Sequence, residues 1–263
     1  MFVLQAEYAF SRMLIGIAAT LLTHAADAAV TFSGVGSGGS ASAKAAFTAS
    51  IGGANNGVGG SYSSGYRSIN WDSVPDALAA PHLLPASFYN FASPRGLMLI
   101  TPGSGVEVSA STASGLALYF GNINSTYTSN FAAVSAQRVF APIDSNIVQV
   151  YFFQPGTNTP AIVRGFGAIF KDVELANMTS IRYFAFDGSD LGEYFVPVGN
   201  SGDTEFFGAL FAPTEPVGHV VITLGTQALG ASTTESASVD LVVMDDIVYS
   251  EPVTDDIFGD GFD

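Results

Sequence analysis

The 263-residue chain has no cysteine, so disulfides, zinc–thiolate centres, iron–sulfur clusters and thiol nucleophiles are excluded. It is also poor in positive charge: 8 Lys and Arg stand against 23 Asp and Glu, a formal net charge of −15. Without a basic footprint, nucleic acid is not a partner this chain is built for. Charged residues make up only 12% of the whole, against 48% hydrophobic, which excludes a disordered chain. No G-x-S-x-G elbow and no H-E-x-x-H helix signature occurs, so the serine-hydrolase and zincin readings lack their motifs. No apolar run approaches the roughly twenty residues needed to span a bilayer.

What is present begins with an export signature over residues 1–28. Arg12 precedes the apolar stretch Met13 to Leu22, and Ala26-Asp27-Ala28 supplies a small-x-small cleavage pattern. An exported chain without cysteine fits a bacterial secreted or envelope protein. Residues 29–65 are rich in Gly, Ser and Ala and read as a flexible N-terminal segment, with Lys44 to Ile51 a short helix or strand inside it. Gly34-Val35-Gly36-Ser37-Gly38-Gly39 fits the G-x-G-x-x-G pattern but lacks the βαβ context and the ribose-binding acid of a dinucleotide site.

From residue 66 to 250 the pattern is β. Val106 to Ser111, Ile147 to Phe153, Ile162 to Phe170, Ile181 to Phe186, Glu193 to Val198, Glu205 to Phe211, Val217 to Leu224 and Val239 to Tyr249 are short runs rich in Val, Ile, Phe and Tyr. Turn sequences such as Asp187-Gly188-Ser189-Asp190 and Gly199-Asn200-Ser201-Gly202 separate them. The expectation is an all-β, antiparallel, jelly-roll-like β-sandwich. Asn70 to Thr101 differs, because prolines 75, 81, 85 and 94 preclude a long helix and predict a long proline-rich loop over one end of the sandwich. Residues 251–263 form an acidic C-terminal tail, of which Asp255 to Asp263 has too little apolar area to hold itself on the core.

Several blocks in this frame carry a resemblance. Asn70-Trp71-Asp72-Ser73-Val74-Pro75-Asp76, Ala80-Pro81-His82-Leu83-Leu84-Pro85, Ser93-Pro94-Arg95-Gly96 and Thr101-Pro102-Gly103 are similar to spaced blocks in a group of exported bacterial proteins. That group's signature reads N-W-D-G-V-P-D, so Ser73 here takes the place of a glycine and His82 that of an asparagine. The ending Asp256 to Asp263 resembles a short D-x-I-F-x-D-G-F-E tail on proteins exported by some gammaproteobacteria. The resemblance marks kinship and implies export; it implies no activity.

The candidate site residues are few. Trp71, Tyr66 and Tyr89 could make an aromatic platform for sugars, with Arg95 beside it; the bland readings are a core tryptophan and an internal arginine strut. Asp72, Asp76, Asp245 and Asp246 are the candidate metal ligands, and calcium, as a structural ion, is the cofactor that such carboxylates would take. Adjacent strand residues point to opposite faces, so one of Asp245 and Asp246 must find a partner inward or at an end loop: calcium, Arg67, Arg95 or backbone amides. His82 and His219 read as structural. The expected function is a secreted or cell-surface binding or adhesion module for extracellular glycans, without catalytic chemistry. The alternatives are a structural envelope or matrix protein and, more weakly, a polysaccharide-active enzyme, which would need only two facing carboxylates.

Overall fold

Apolar residues alternating with polar ones bury one face of a strand, and continuous apolar runs bury both. Both patterns occur in the computed structural model, which describes residues 29–133, 135 and 137–254. The expected signal segment 1–28 and residues 255–263 of the tail lie outside the described residues. Among the described residues twelve strands form two antiparallel sheets that pack face to face, as expected of an all-β sandwich.

The larger sheet contains β1 (Val30–Val35), β2 (Tyr66–Ile69), β4 (Gly105–Val108), β5 (Phe140–Ile143), β7 (Gly165–Lys171), β10 (Thr204–Leu210) and β12 (Val243–Ser250). Its order is β1-β10-β7-β12-β5-β4, with β2 also paired to β12. The smaller sheet runs β3-β6-β11-β8-β9, where β3 is Leu97–Ile100, β6 is Ile147–Phe152, β8 is Ser180–Ala185, β9 is Asp190–Phe195 and β11 is Val217–Thr223. In β6 every second residue is buried, whereas β7 and β12 are buried at every position. The difference has a cause in what lies outside the larger sheet.

That outer face is covered twice. Helix α1 (Gly36–Ile51) lays Ala43 and Phe47 on Ile169, Phe206 and Val248. Further along, Phe120, Tyr127 and Phe131 cover Val139, Ala141 and Val243. The segment read as a flexible N-terminus is therefore part of the sandwich: β1 pairs with β10 along its whole length, and α1 returns over it. Small residues bring the helix close. A Cβ on Gly34 would stand 2.2 Å from the Gly39 carbonyl oxygen, so that approach demands glycine. The G-x-G-x-x-G stretch thus serves a strand–helix packing turn in an antiparallel sheet.

Asn70 to Thr101 is irregular in its first part but ends in β3, whose pairing with β6 was not expected. The main core lies between the sheets and includes Trp71, Phe140, Phe166, Phe170, Tyr183 and Tyr249. Among the described residues no helix is long and apolar enough to cross a membrane.

Candidate functional site

The expected aromatic platform is not formed. In β2, Arg67 and Ile69 face the inter-sheet core while Tyr66 and Ser68 face α1, because strand side chains alternate. Tyr66 packs at the edge of the helix-covered cluster, and Trp71 and Tyr89 lie buried between the sheets. Trp71 stacks on Phe140 with ring centroids 4.4 Å apart and meets Tyr89 edge-on at 5.6 Å. A fully enclosed indole cannot stack on a sugar. Arg95 is a strut: it lies over the Tyr89 ring, donates to the Ser93 hydroxyl, and its carbonyl accepts from Tyr249.

The four aspartates expected to bind metal are not brought together as a cation site either. Between Met244 and Ile247 the register of β12 on β7 shifts by one residue, a β-bulge that frees Asp245 and Asp246 from simple alternation. Asp246 turns to Lys44 of α1. Asp245 is buried and accepts from the Ser135 amide at 3.0 Å and its hydroxyl at 2.7 Å. Trp71 Nε1 donates to the Asp245 carbonyl at the bulge. Asp72 accepts from the Gln137 amide, and Asp76 from Ser111 and Arg138 at 2.7 and 2.5 Å, which holds its carboxyl below the usual range. The N-W-D-x-V-P-D block is thus a clasp joining residues 70–76 to Ser135, Gln137, Arg138 and the bulge.

Two other places concentrate unspent chemistry, at opposite ends of the larger sheet. Strand β7 begins at one and ends at the other, a span of roughly 20 Å for seven residues.

At the start of β7 lies an open cleft of about 290 Å³, walled by Ile51, Ile162, Val163, Leu210, Pro213 and Val253. Ser63, Ser64 and Ser250 add hydroxyls, and Arg164 supplies a guanidinium. Arg164 is exposed. Among the described residues it is the one cationic side chain with no ion pair, hydrogen bond or ring contact. The acid in the wall, Glu251, is already neutralised by Arg67.

At the other end of β7, carboxylates converge from two loops, the one after β7 and the one between β11 and β12. One oxygen each of Glu174, Glu235 and Asp240 lies within 4.8 Å of the others. Asp240, fully buried just before β12, accepts from the Glu174 and Leu175 amides at 3.3 and 3.0 Å, which fixes the chain after β7. Gly225 packs on it with φ +54°, where a Cβ would meet the Asp240 carbonyl oxygen at 2.1 Å. Glu235 Oε1 accepts from the Leu241 amide at 2.6 Å, while its Oε2 is sealed from solvent without a partner. Asp172 is wholly buried; Oδ1 accepts from the Gly202 amide at 2.5 Å and Oδ2 accepts from nothing.

Burial, reinforced by the neighbouring acids, pushes Asp172 up to about 6 and Glu235 up to about 8. Lys171 does not relieve them, since its ammonium faces the Gly202 carbonyl and the Thr204 hydroxyl.

Sequence reasoning missed both places. Their residues are scattered along the chain, and only the antiparallel order of β7, β10 and β12 gathers them. Compared with known proteins, the chain matches no family model, no curated protein and no solved structure.

Proposed function

We propose that the chain is an exported recognition module, without catalytic chemistry, that holds an amphipathic carboxylate in the cleft at the start of β7. The observation that carries this reading is Arg164, an unpaired guanidinium on the rim of an apolar cleft in a chain where the other described cations are engaged. Ligand pockets of this kind combine an apolar wall with a few placed polar groups that set orientation. A guanidinium takes a carboxylate through two parallel hydrogen bonds, and the apolar wall takes the ligand's hydrocarbon part. The lining serines have no histidine among the residues beside them, and Glu251 is held by Arg67, so the groups present favour holding over reacting. Glycans lose their support as the ligand, because the cleft wall contains no aromatic ring and Trp71 and Tyr89 are enclosed.

Calorimetric titration with octanoate, and with octanol as the uncharged control, tests the reading. The wild type binds octanoate more tightly than octanol, and Arg164→Ala removes the difference while leaving the fold intact. Equal binding of acid and alcohol by the wild type would overturn it.

A further inference from the structure

We propose that Asn56 is a site of spontaneous deamidation, and that the reaction turns a clamp on the buried Arg67–Glu251 pair into a repulsion that loosens the cleft wall. The site is independent of what the cleft holds. Of the asparagines in the chain, Asn56 alone is followed by glycine. Deamidation begins when the backbone nitrogen of the next residue attacks the asparagine carboxamide, and a side chain on that next residue obstructs the approach. Gly57 has none, and its φ of +64° lies where other residues rarely go. Its amide is lightly held, by the Asn55 side-chain carbonyl at 3.1 Å on the exposed side of the segment. Residues 53–65 lie outside the helices and strands, and such segments open locally at the lowest cost.

The chemistry needs only water. The Gly57 nitrogen gives its proton to hydroxide and bonds to Cγ of Asn56. The bond from Cγ to Nδ2 then breaks, and Nδ2 leaves as ammonia after taking a proton from water, which restores the hydroxide. One water molecule opens the resulting cyclic imide at either of its carbonyls, giving aspartate or isoaspartate. Each product removes the Asn56 donor, which now serves the Ser64 carbonyl at 2.8 Å and Glu251 Oε2 at 2.9 Å. Aspartate sets an acceptor against both contacts. Isoaspartate adds a carbon to the main chain just before Gly57, whose carbonyl accepts from Arg67 at 3.1 Å. Both add a negative charge near Glu251, which is buried and shares its single counter-ion, Arg67, with no other acid. Like charges in such a site repel strongly. Ser63, Ser64, Gly65 and Glu251 all line the cleft, so its wall loosens when this clamp is lost.

The test incubates the folded full chain in mildly alkaline buffer and follows it by peptide mass mapping with isoaspartate detection. The expected result is conversion at Asn56 ahead of every other asparagine, with a converted fraction that melts several degrees below the starting protein. Gly57→Ala keeps Asn56 and its bonds and puts the new Cβ in open space, at the cost of its positive φ. It slows the conversion by an order of magnitude or more. Asn56→Asp, made directly, melts several degrees below the wild type, as the aged protein does. Asn56 left intact in the folded protein, another asparagine converting first, or an Asn56→Asp variant as stable as the wild type would each overturn the proposal.

Discussion

Arg67 and Glu251 form a bidentate ion pair with no solvent exposure, Nε to Oε2 at 2.8 Å and Nη2 to Oε1 at 2.6 Å. The remaining guanidinium hydrogens reach the carbonyls of Gly57, Gly59 and Gly60 at 3.1, 3.2 and 2.8 Å. Glu251 in turn accepts from Asn56 at 2.9 Å. The glycine-rich stretch before β2 is therefore wound around a buried charge, and the first residue of the expected acidic tail is its counter-ion. At the cleft wall, the Glu251 amide also donates to the Gly65 carbonyl at 2.9 Å.

Breaking such a pair leaves the other charge buried and alone, which costs about 3–5 kcal/mol. Glu251→Gln and Arg67→Met are each expected to lower stability by that amount in urea denaturation. The double variant should lose less than the sum of the two. Additive losses would mean that the partners act separately.

Trp71 is the only tryptophan, and its enclosure gives a direct optical check. Its emission should be blue-shifted and insensitive to iodide. Trp71→Phe keeps an aromatic ring on Phe140 but removes the indole hydrogen bond to the Asp245 carbonyl, a loss of about 0.5–1.5 kcal/mol. Emission typical of solvated indole would show the ring to be outside the core.

The helix packing turn separates two neighbouring glycines. Gly34→Ala drives a methyl into the Gly39 carbonyl and should destabilise by about 1–3 kcal/mol. At Gly38, which lies in α1 with nothing within 4 Å of an added Cβ, alanine should stabilise by about 0.5–1 kcal/mol. Thermal melts of the two variants should move in opposite directions.

Glu107 contributes one part of the pH dependence, beside the raised Asp172 and Glu235 carboxyls. Burial pushes its carboxyl from an ordinary 4.5 up to about 7, with Asn122 hydrogen-bonded to it and Oε1 without a partner. The native state holds this proton more tightly than the unfolded chain, so its stabilisation is complete below pH 4.5 and is lost as pH rises to about 7. The loss is on the order of 3 kcal/mol. Glu107→Gln should flatten this part of the stability profile, as measured by urea midpoints from pH 4 to 8.

The strands legible in the sequence were those with long β-branched or aromatic runs, such as Ile147–Phe152 and Val217–Thr223. Strand β1 was hidden because its six residues include Ser33 and Gly34 and lead straight into glycine. Helix α1 was hidden because only Ala43 and Phe47 mark an apolar face among small residues; packing on the sheet, rather than propensity, holds it. The need of Asp245 and Asp246 for partners was readable from strand alternation, but the bulge that sends one to Ser135 and the other to Lys44 was not. For the acid cluster one signal existed. Asp172 follows a predicted strand and Asp240 opens another, so antiparallel pairing of those two strands would have put both at one end.

The central claim is that the cleft at the start of β7 holds an amphipathic carboxylate through Arg164, and backbone amide shifts in NMR test it most directly. Octanoate should perturb Gly65, Ile162 to Arg164 and Ser250 to Val253 and leave the far end of β7, Asp172 to Leu175, unmoved. Shifts centred away from the cleft, or spread evenly over both sheets, would contradict it.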